Sequence, residues 1–312
     1  MISPTKKKTP ATESRREVCL LGQPPLQRLL DFVKTRVADG DRLSPKVLAD
    51  KWRTANDYYH ELETREAGLA DAAEYRPLSA AQQKLTLKVS ADARFRKTFD
   101  SMPTEFAWVE LDKLVVFQTH VDEQHVESLK KRITPQSSLR ELIDFCFPLT
   151  VSDAEVDIQR VGPRRYVFSS ESTDFRFQNP MLLTPSQLNN VESSGPILGI
   201  AGVAVGFGSN LFSVIRSGSR MLLHNGYHRA CAMRAAGITH APCIVQTVTR
   251  QDEFDVVAKA EVAERTEFYF RTQRPPLLKD FFDPKIRRVF LVRRTRRVIE
   301  VNFDVREFTI PW

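Results

Sequence analysis

The sequence predicts a mixed α/β (α+β) protein, with a helical N-terminal part, an α/β centre and a smaller β-rich C-terminal extension. Three observations carry that expectation. Leu26, Leu29, Leu30, Val33 and Val37 recur at helical spacing, and Leu48, Trp52, Ala55, Tyr59 and Leu62 form a second such stripe. From Phe106 the texture changes to short apolar runs alternating with helix-like segments, FAWVELDKLVVFQ followed by VDEQHVESLKKRI. At 312 residues, with 42% hydrophobic and 27% charged residues, the chain has an ordinary globular composition and length enough for two or three cores.

The expected boundaries are a basic disordered tail over 1–17, a helical domain over 18–104, an α/β domain over 105–250 and a C-terminal helix plus β-hairpin over 251–312. Lys6, Lys7, Lys8, Arg15 and Arg16 make the tail polar. Pro24-Pro25 opens the first helix and Gly40 stops it; Ser44 caps the second, with Pro45 in its first turn. The Trp52/Tyr59 stripe could stack on bases, but aromatic residues at core spacing usually pack, so burial against a neighbouring helix is expected. A homo-oligomer or a protein partner would dock through these same N-terminal helices. Ser79 is a candidate cap, whereas Leu85, Leu87 and Val89 alternate with period two and point to a strand. Ser101-Met102-Pro103-Thr104 marks a boundary, because the residue before proline disfavours helix.

In the centre, Val126, Leu129 and Ile133 share a helix face, and strands are expected at 145–151, 165–169, 174–177, 200–207, 211–216 and 220–224, with Ser217-Gly218 as a hairpin connection. The uncharged run 196–215 approaches the ~20 residues that span a bilayer. Four glycines and the pair Ser209-Asn210 interrupt it, so two buried strands joined by a turn are expected, and no membrane partner. A helix over 227–236, the stop Gly237 and a strand over 242–248 close the centre. Beyond them come a helix over 251–264, the pair Pro275-Pro276 and the hairpin VFLVRRTRRVIEVNF.

A net charge of +7 favours polyanions, nucleotides or acidic partners. Cys19, Cys146, Cys231 and Cys243 are scattered without a CxxC pair, and MISPTKKKTP lacks the apolar core of a signal peptide, so a cytoplasmic location is expected. The absence of G-x-x-x-x-G-K-[ST] excludes a P-loop nucleotidase.

Chemistry concentrates in RMLLHNGYHRACAMRAAGITHAPCIVQTV. A strand delivers the chain to Asn225-Gly226, glycine permits a sharp turn and close backbone approach, and a helix begins at once. The first amides of a helix lack intrahelical acceptors and its dipole favours an anion there, while His228 and Arg229 add donors. Ala230, Ala232, Ala235 and Ala236 let the helix lie close to a sheet. The plain alternative is a turn followed by a solvated first helical turn.

The strings HNGYHRACAMRAAGI and APCIV resemble the second box of the ParB/sulfiredoxin-like superfamily, and LDKLVVFQTHVDEQHVESLKKRI resembles its first; together they span 106–248. The resemblance implies a mixed sheet whose two boxes clasp the phosphates of a nucleotide, ATP or CTP with Mg2+. It points to Gln118, Asn225, Gly226, Tyr227, His228 and Arg229 as ligand contacts, with His120 nearby. Tyr227 stands where sulfiredoxins carry their reactive cysteine, so sulfinic-acid reduction is not expected, and Cys231 reads as a buried structural thiol. No helix-turn-helix follows the second box, unlike ParB proteins, and the long interval between the boxes leaves room for a modified pocket or a lid.

Asp122 and Glu123, with His120, are the candidate catalytic groups of a phosphotransferase or hydrolase; acids in a first helical turn more often offset the dipole. His120, His224 and His228 could meet around a metal in space, but their spacing fixes no metal site. The alternative function is nucleic-acid binding, in which Arg293, Arg294, Arg296 and Arg297 crowd a hairpin tip around Thr295 and track a DNA or RNA backbone; a solvated turn would look the same. A third reading is a structural subunit whose pocket has lapsed.

Overall fold

The computed structural model describes residues 14–150, 154–172, 174–188 and 194–311. The chain opens with β1 (Ser14–Leu20), α1 (Leu26–Arg36), α2 (Pro45–Arg65), β2 (Tyr75–Pro77), α3 (Ala80–Gln83), α4 (Leu87–Ala91) and α5 (Ala93–Thr98). Next come β3 (Thr104–Glu110), β4 (His120–Asp122), α6 (Glu123–Lys130), α7 (Leu139–Cys146), β5 (Val156–Gly162), β6 (Arg165–Ser170), β7 (Phe175–Leu183) and β8 (Ile200–Phe207). It continues with β9 (Ser213–Ser217), β10 (Arg220–Asn225), α8 (Tyr227–Ala235), β11 (His240–Thr247), α9 (Gln251–Val257), α10 (Ala260–Ala263), α11 (Thr266–Arg271), β12 (Arg287–Arg293) and β13 (Arg297–Asn302). The mixture of helices and several sheets makes this an α+β protein.

Two compact units are formed, one from Met1–Leu149 with Asn210–Arg294, the other from Thr150–Ser209 with Thr295–Trp312. In the larger unit a five-stranded sheet has the order β10-β9-β11-β3-β2. β9 and β11 pair in parallel and the other neighbours antiparallel, so the sheet is mixed. The alanine-rich α8 buries Ala230, Cys231, Ala232 and Met233 in the same core as Val109, Leu222 and Ile244. Small side chains permit that close approach, and Gly237 at φ +87° ends the helix in the left-handed region that glycine tolerates. A second core joins α1 and α2 to β1 and β12, and it takes in Tyr59 and Leu62 from the aromatic stripe. Trp52 is half-buried and donates from Nε1 to Pro24 O at 2.7 Å, so the stripe packs.

Several expectations give way here. The tail was expected to run to residue 17, but Ser14–Leu20 is the central strand of the sheet β12-β1-β4, where Val18 and Leu20 are buried; residues 1–13 of that tail lie outside the described residues. The same pairing binds an N-terminal strand to a C-terminal one, so the helical part, residues 105–149 and 210–250 of the expected centre and much of the C-terminal extension fold as one unit, while 150–209 belong to the other. Leu87 and Val89 belong to a helix, not a strand, reached from the Ser79/Gln82 capping box through a 3-10 turn. Phe145 and Cys146 end α7, where a strand was expected. The Ser138/Glu141 capping box and the buried face Leu142, Ile143, Phe145 and Cys146 explain it.

The run 196–215 does not form two buried strands joined by a turn. β8 is mostly half-exposed, β9 starts at Ser213, and the two belong to different sheets. Among the described residues no helix is long and apolar enough to cross a membrane. The β9–β10 turn falls one residue later than expected, on Gly218 (φ +60°) and Ser219. The helix expected over 251–264 breaks between α9 and α10.

The smaller unit contains a three-stranded antiparallel sheet, β13-β6-β5, and the antiparallel pair β7-β8, with Phe175 buried. The expected C-terminal hairpin is absent: β12 pairs with β1, and β13 pairs with β6.

Candidate functional site

The two boxes read from the sequence do converge. Gly226 caps α8 at φ +98°, and a Cβ there would lie 2.5 Å from the Phe212 ring, so the turn needs glycine for both conformation and space. Tyr227 then points inward. Its hydroxyl accepts from the amides of Phe117 (3.0 Å) and Gln118 (3.3 Å) and donates to Leu223 O (2.8 Å). One phenol therefore ties the first box to the second. Burial, with no water to stabilise a phenolate, pushes its pKa up.

His228 makes the other tie, accepting on Nε2 from the Asp122 amide at 3.1 Å, while its ring meets His125 edge to face at 4.9 Å. Burial first, and His125 second, hold its pKa down at about 4, as suits a nitrogen that must stay unprotonated to accept. Burial and then Arg36 likewise lower His120 to about 4. His120 Nε2 lies 4.0 Å from Glu17, whose carboxyl is raised, chiefly by burial.

Three sets of residues assigned from the sequence have bonding partners inside the protein. Arg229 is not presented to a ligand: its guanidinium is buried and donates to Cys146 O (3.1 Å), Asn210 O (2.7 Å) and Asn210 Oδ1 (2.7 Å). Buried carbonyls need donors, and this arginine supplies them. Asp122 caps α6 by accepting the His125 amide at 2.9 Å and lies 3.9 Å from Arg15, and Glu123 pairs with Arg16 at 2.8 Å. Both carboxylates are thus engaged in holding β1 and α6. Arg293, Arg294, Arg296 and Arg297 do not share a hairpin tip, since they divide between the two units; Arg293 donates to Ala38 O at 3.2 Å, and Arg296 lies 4.0 Å from Glu171.

Gln118 keeps its candidacy. Its side chain donates to His120 O at 2.6 Å, and the residue lines a narrow cleft of about 20 Å3. Arg28 and Arg265 stand at that cleft, with Tyr59, Phe117, Phe268 and Tyr269 as aromatic walls. Arg28 pairs with Glu261. Arg265 lies 4.5 Å above the Phe268 ring, and no carboxylate among the described residues forms an ion pair with it. Gln23 Oε1 is buried in the same lining without a hydrogen-bond partner among the described residues. Sequence reasoning missed Arg28, Arg265 and their aromatic neighbours. The signal was the run RTEFYF, a cation beside three aromatic residues.

Asn225 and His224 lie at the end of β10, half-buried, before the turn. His120, His224 and His228 do not gather as a metal set; among the described residues the donor atoms that come within 4.8 Å of one another are those of Glu74, Glu110 and His240. All four cysteines are free and buried, and burial lifts the Cys231 thiol to about 12, as a structural thiol requires. No family model, curated protein or solved structure matches the chain.

Proposed function

We propose that the larger unit binds a phosphate-bearing small molecule of the nucleotide class, ATP or CTP with Mg2+, in the cleft beside Gln118. The single observation that carries this reading is the double placement of Gln118. Its backbone is tied to the start of α8 through Tyr227, and it lines a cleft that offers two arginines, four aromatic rings and an amide oxygen without a hydrogen-bond partner among the described residues. Guanidinium groups suit phosphate oxygens, aromatic faces suit a base, and an amide such as Gln23 can read its edge. The convergence of the two boxes supports the ParB/sulfiredoxin-like reading, with one change: Tyr227, His228 and Arg229 position the loop and do not touch the ligand.

The cleft is narrow, so binding requires Arg265 and the ion pair between Arg28 and Glu261 to rearrange. Binding is the proposed activity. Phosphotransfer or hydrolysis would need an uncommitted carboxylate, and Asp122 and Glu123 are engaged by Arg15 and Arg16. Four buried free thiols suit a reducing, cytoplasmic compartment. A melting-temperature screen with ATP and CTP, each with Mg2+, tests the reading. A ligand that binds only the folded state raises the melting point, so a rise with one of them supports the proposal and no rise with either contradicts it.

A further inference from the structure

A separate set of ligating side chains lies in the larger unit, at one end of the five-stranded sheet. Glu110 closes β3 and stands opposite His240, the first residue of β11. On its other side the Glu110 amide donates to Glu74 O at 3.0 Å, just before β2. Side chains that are direct neighbours across strands share a face, so Glu74, Glu110 and His240 form one row. Their donor atoms lie within 4.8 Å of one another.

The details of the row favour a cation. His240 Nε2 is 3.2 Å from Glu74 Oε2, and Thr239 Oγ1 is 3.0 Å from His240 Nδ1. With the proton on Nδ1, donated to the Thr239 hydroxyl, Nε2 is left to bind a metal; with the proton on Nε2, the same ring donates to Glu74. Glu110 accepts the Glu74 amide (3.0 Å) and Lys113 Nζ (2.9 Å) on the same oxygen, Oε2. Two carboxylates side by side repel, and Lys113 offsets only one of them.

Beside the row opens a cavity of about 530 Å3, lined by Glu74, Tyr75, Arg76, Trp108 and His240. Trp108 Nε1 is buried there without a hydrogen-bond partner among the described residues. The cavity gives room for water or another exogenous ligand beside the row.

We propose that Glu74, Glu110 and His240 bind one divalent transition-metal ion, with Zn2+ the best match. One imidazole nitrogen and two carboxylate oxygens suit Zn2+ better than Mg2+ or Ca2+, which favour all-oxygen sets, and three protein ligands leave a fourth position open toward the cavity. The Glu74 side chain is 75% exposed and can swing the short distance that coordination requires.

The test is calorimetric titration of the metal-stripped full chain with ZnCl2, paralleled by CoCl2 titration read by visible d–d absorption. The parent should bind one equivalent and show the Co2+ band. Glu74→Gln should weaken binding by roughly 10–100-fold, the scale on which losing one metal-orienting group acts, and His240→Ala should abolish the band. Glu74 is exposed enough that its variant must keep the parent's melting temperature in chelator, which separates lost binding from lost folding. A parent that binds no Zn2+ overturns the proposal. So does Zn2+ binding that survives unchanged in both variants, because the ion would then sit outside this row.

Discussion

The first turn of α8 and the cleft beside Gln118 hold the same kinds of side chain and put them to opposite uses. At α8 an arginine, a histidine and a tyrosine follow a glycine turn, and each finds its partner inside the protein: Arg229 on carbonyls, His228 on the Asp122 amide, Tyr227 on two amides and a carbonyl. At the cleft, Arg265 rests on an aromatic ring and Gln23 Oε1 lacks a partner among the described residues. Residue type alone does not distinguish a binding cation from a structural one. The supply of buried acceptors does, because an unsatisfied carbonyl in the core costs about 1–3 kcal/mol and recruits the nearest donor.

Substitutions at the two places should therefore separate stability from binding. The largest effect is expected for Gly226→Val, which combines a left-handed backbone with a Cβ 2.5 Å from Phe212. It should destabilise the fold by about 3–5 kcal/mol, from strain and overpacking together, measured by urea unfolding. Arg229→Ala should follow, at about 2–4 kcal/mol, because it leaves the carbonyls of Cys146 and Asn210 without their donor. If Arg229→Ala instead left stability intact and removed nucleotide binding, the two regions would have to exchange roles.

The next effect depends on pH. His228 is held near 4 when folded, against 6.5 ordinarily, so between those values the unfolded chain binds more protons than the folded one. Its contribution is full above pH 6.5 and is lost as pH falls toward 4; His120 acts in the same direction. Glu17 opposes them: its raised carboxyl keeps a proton that the unfolded chain releases above 4.5, so its contribution is lost as pH rises through the raised value. His228→Gln, whose amide oxygen can still accept from Asp122, should flatten the acid limb of the stability curve by about 3 kcal/mol. Curves for parent and variant that stay parallel from pH 7 to about 4 would contradict this.

Much of this was legible in the sequence, for reasons that specific residues show. Leu222 and the alanines of α8 obey simple periodicities, and Gly226 and Gly237 punctuate where positive φ is needed, so strand, turn and helix could be read locally. Gln118 and His228 were legible as parts of two boxes that meet. What could not be read were the non-local pairings. β12 joins β1 across most of the chain, and β13 leaves it for β6, so a run that looks like a hairpin is divided between two units. The partners of Arg229 lie on Cys146 and Asn210, which no local pattern connects to it. The cleft likewise gathers residues from the N-terminal and C-terminal segments around Gln118.

The smallest effect on stability and the largest on binding should come from Arg265→Ala, and this is the measurement that tests the account most directly. The parent and the variant are each titrated calorimetrically with ATP and with CTP in the presence of Mg2+. Arg265 has no ion-pair partner among the described residues, so the variant should unfold within about 0.5 kcal/mol of the parent, as surface substitutions do. It should bind the preferred nucleotide roughly 10–100-fold more weakly, the loss of one charged hydrogen bond of about 1.5–3 kcal/mol. A parent that binds neither nucleotide, or a stable variant that binds as tightly as the parent, contradicts the placement of the ligand in this cleft.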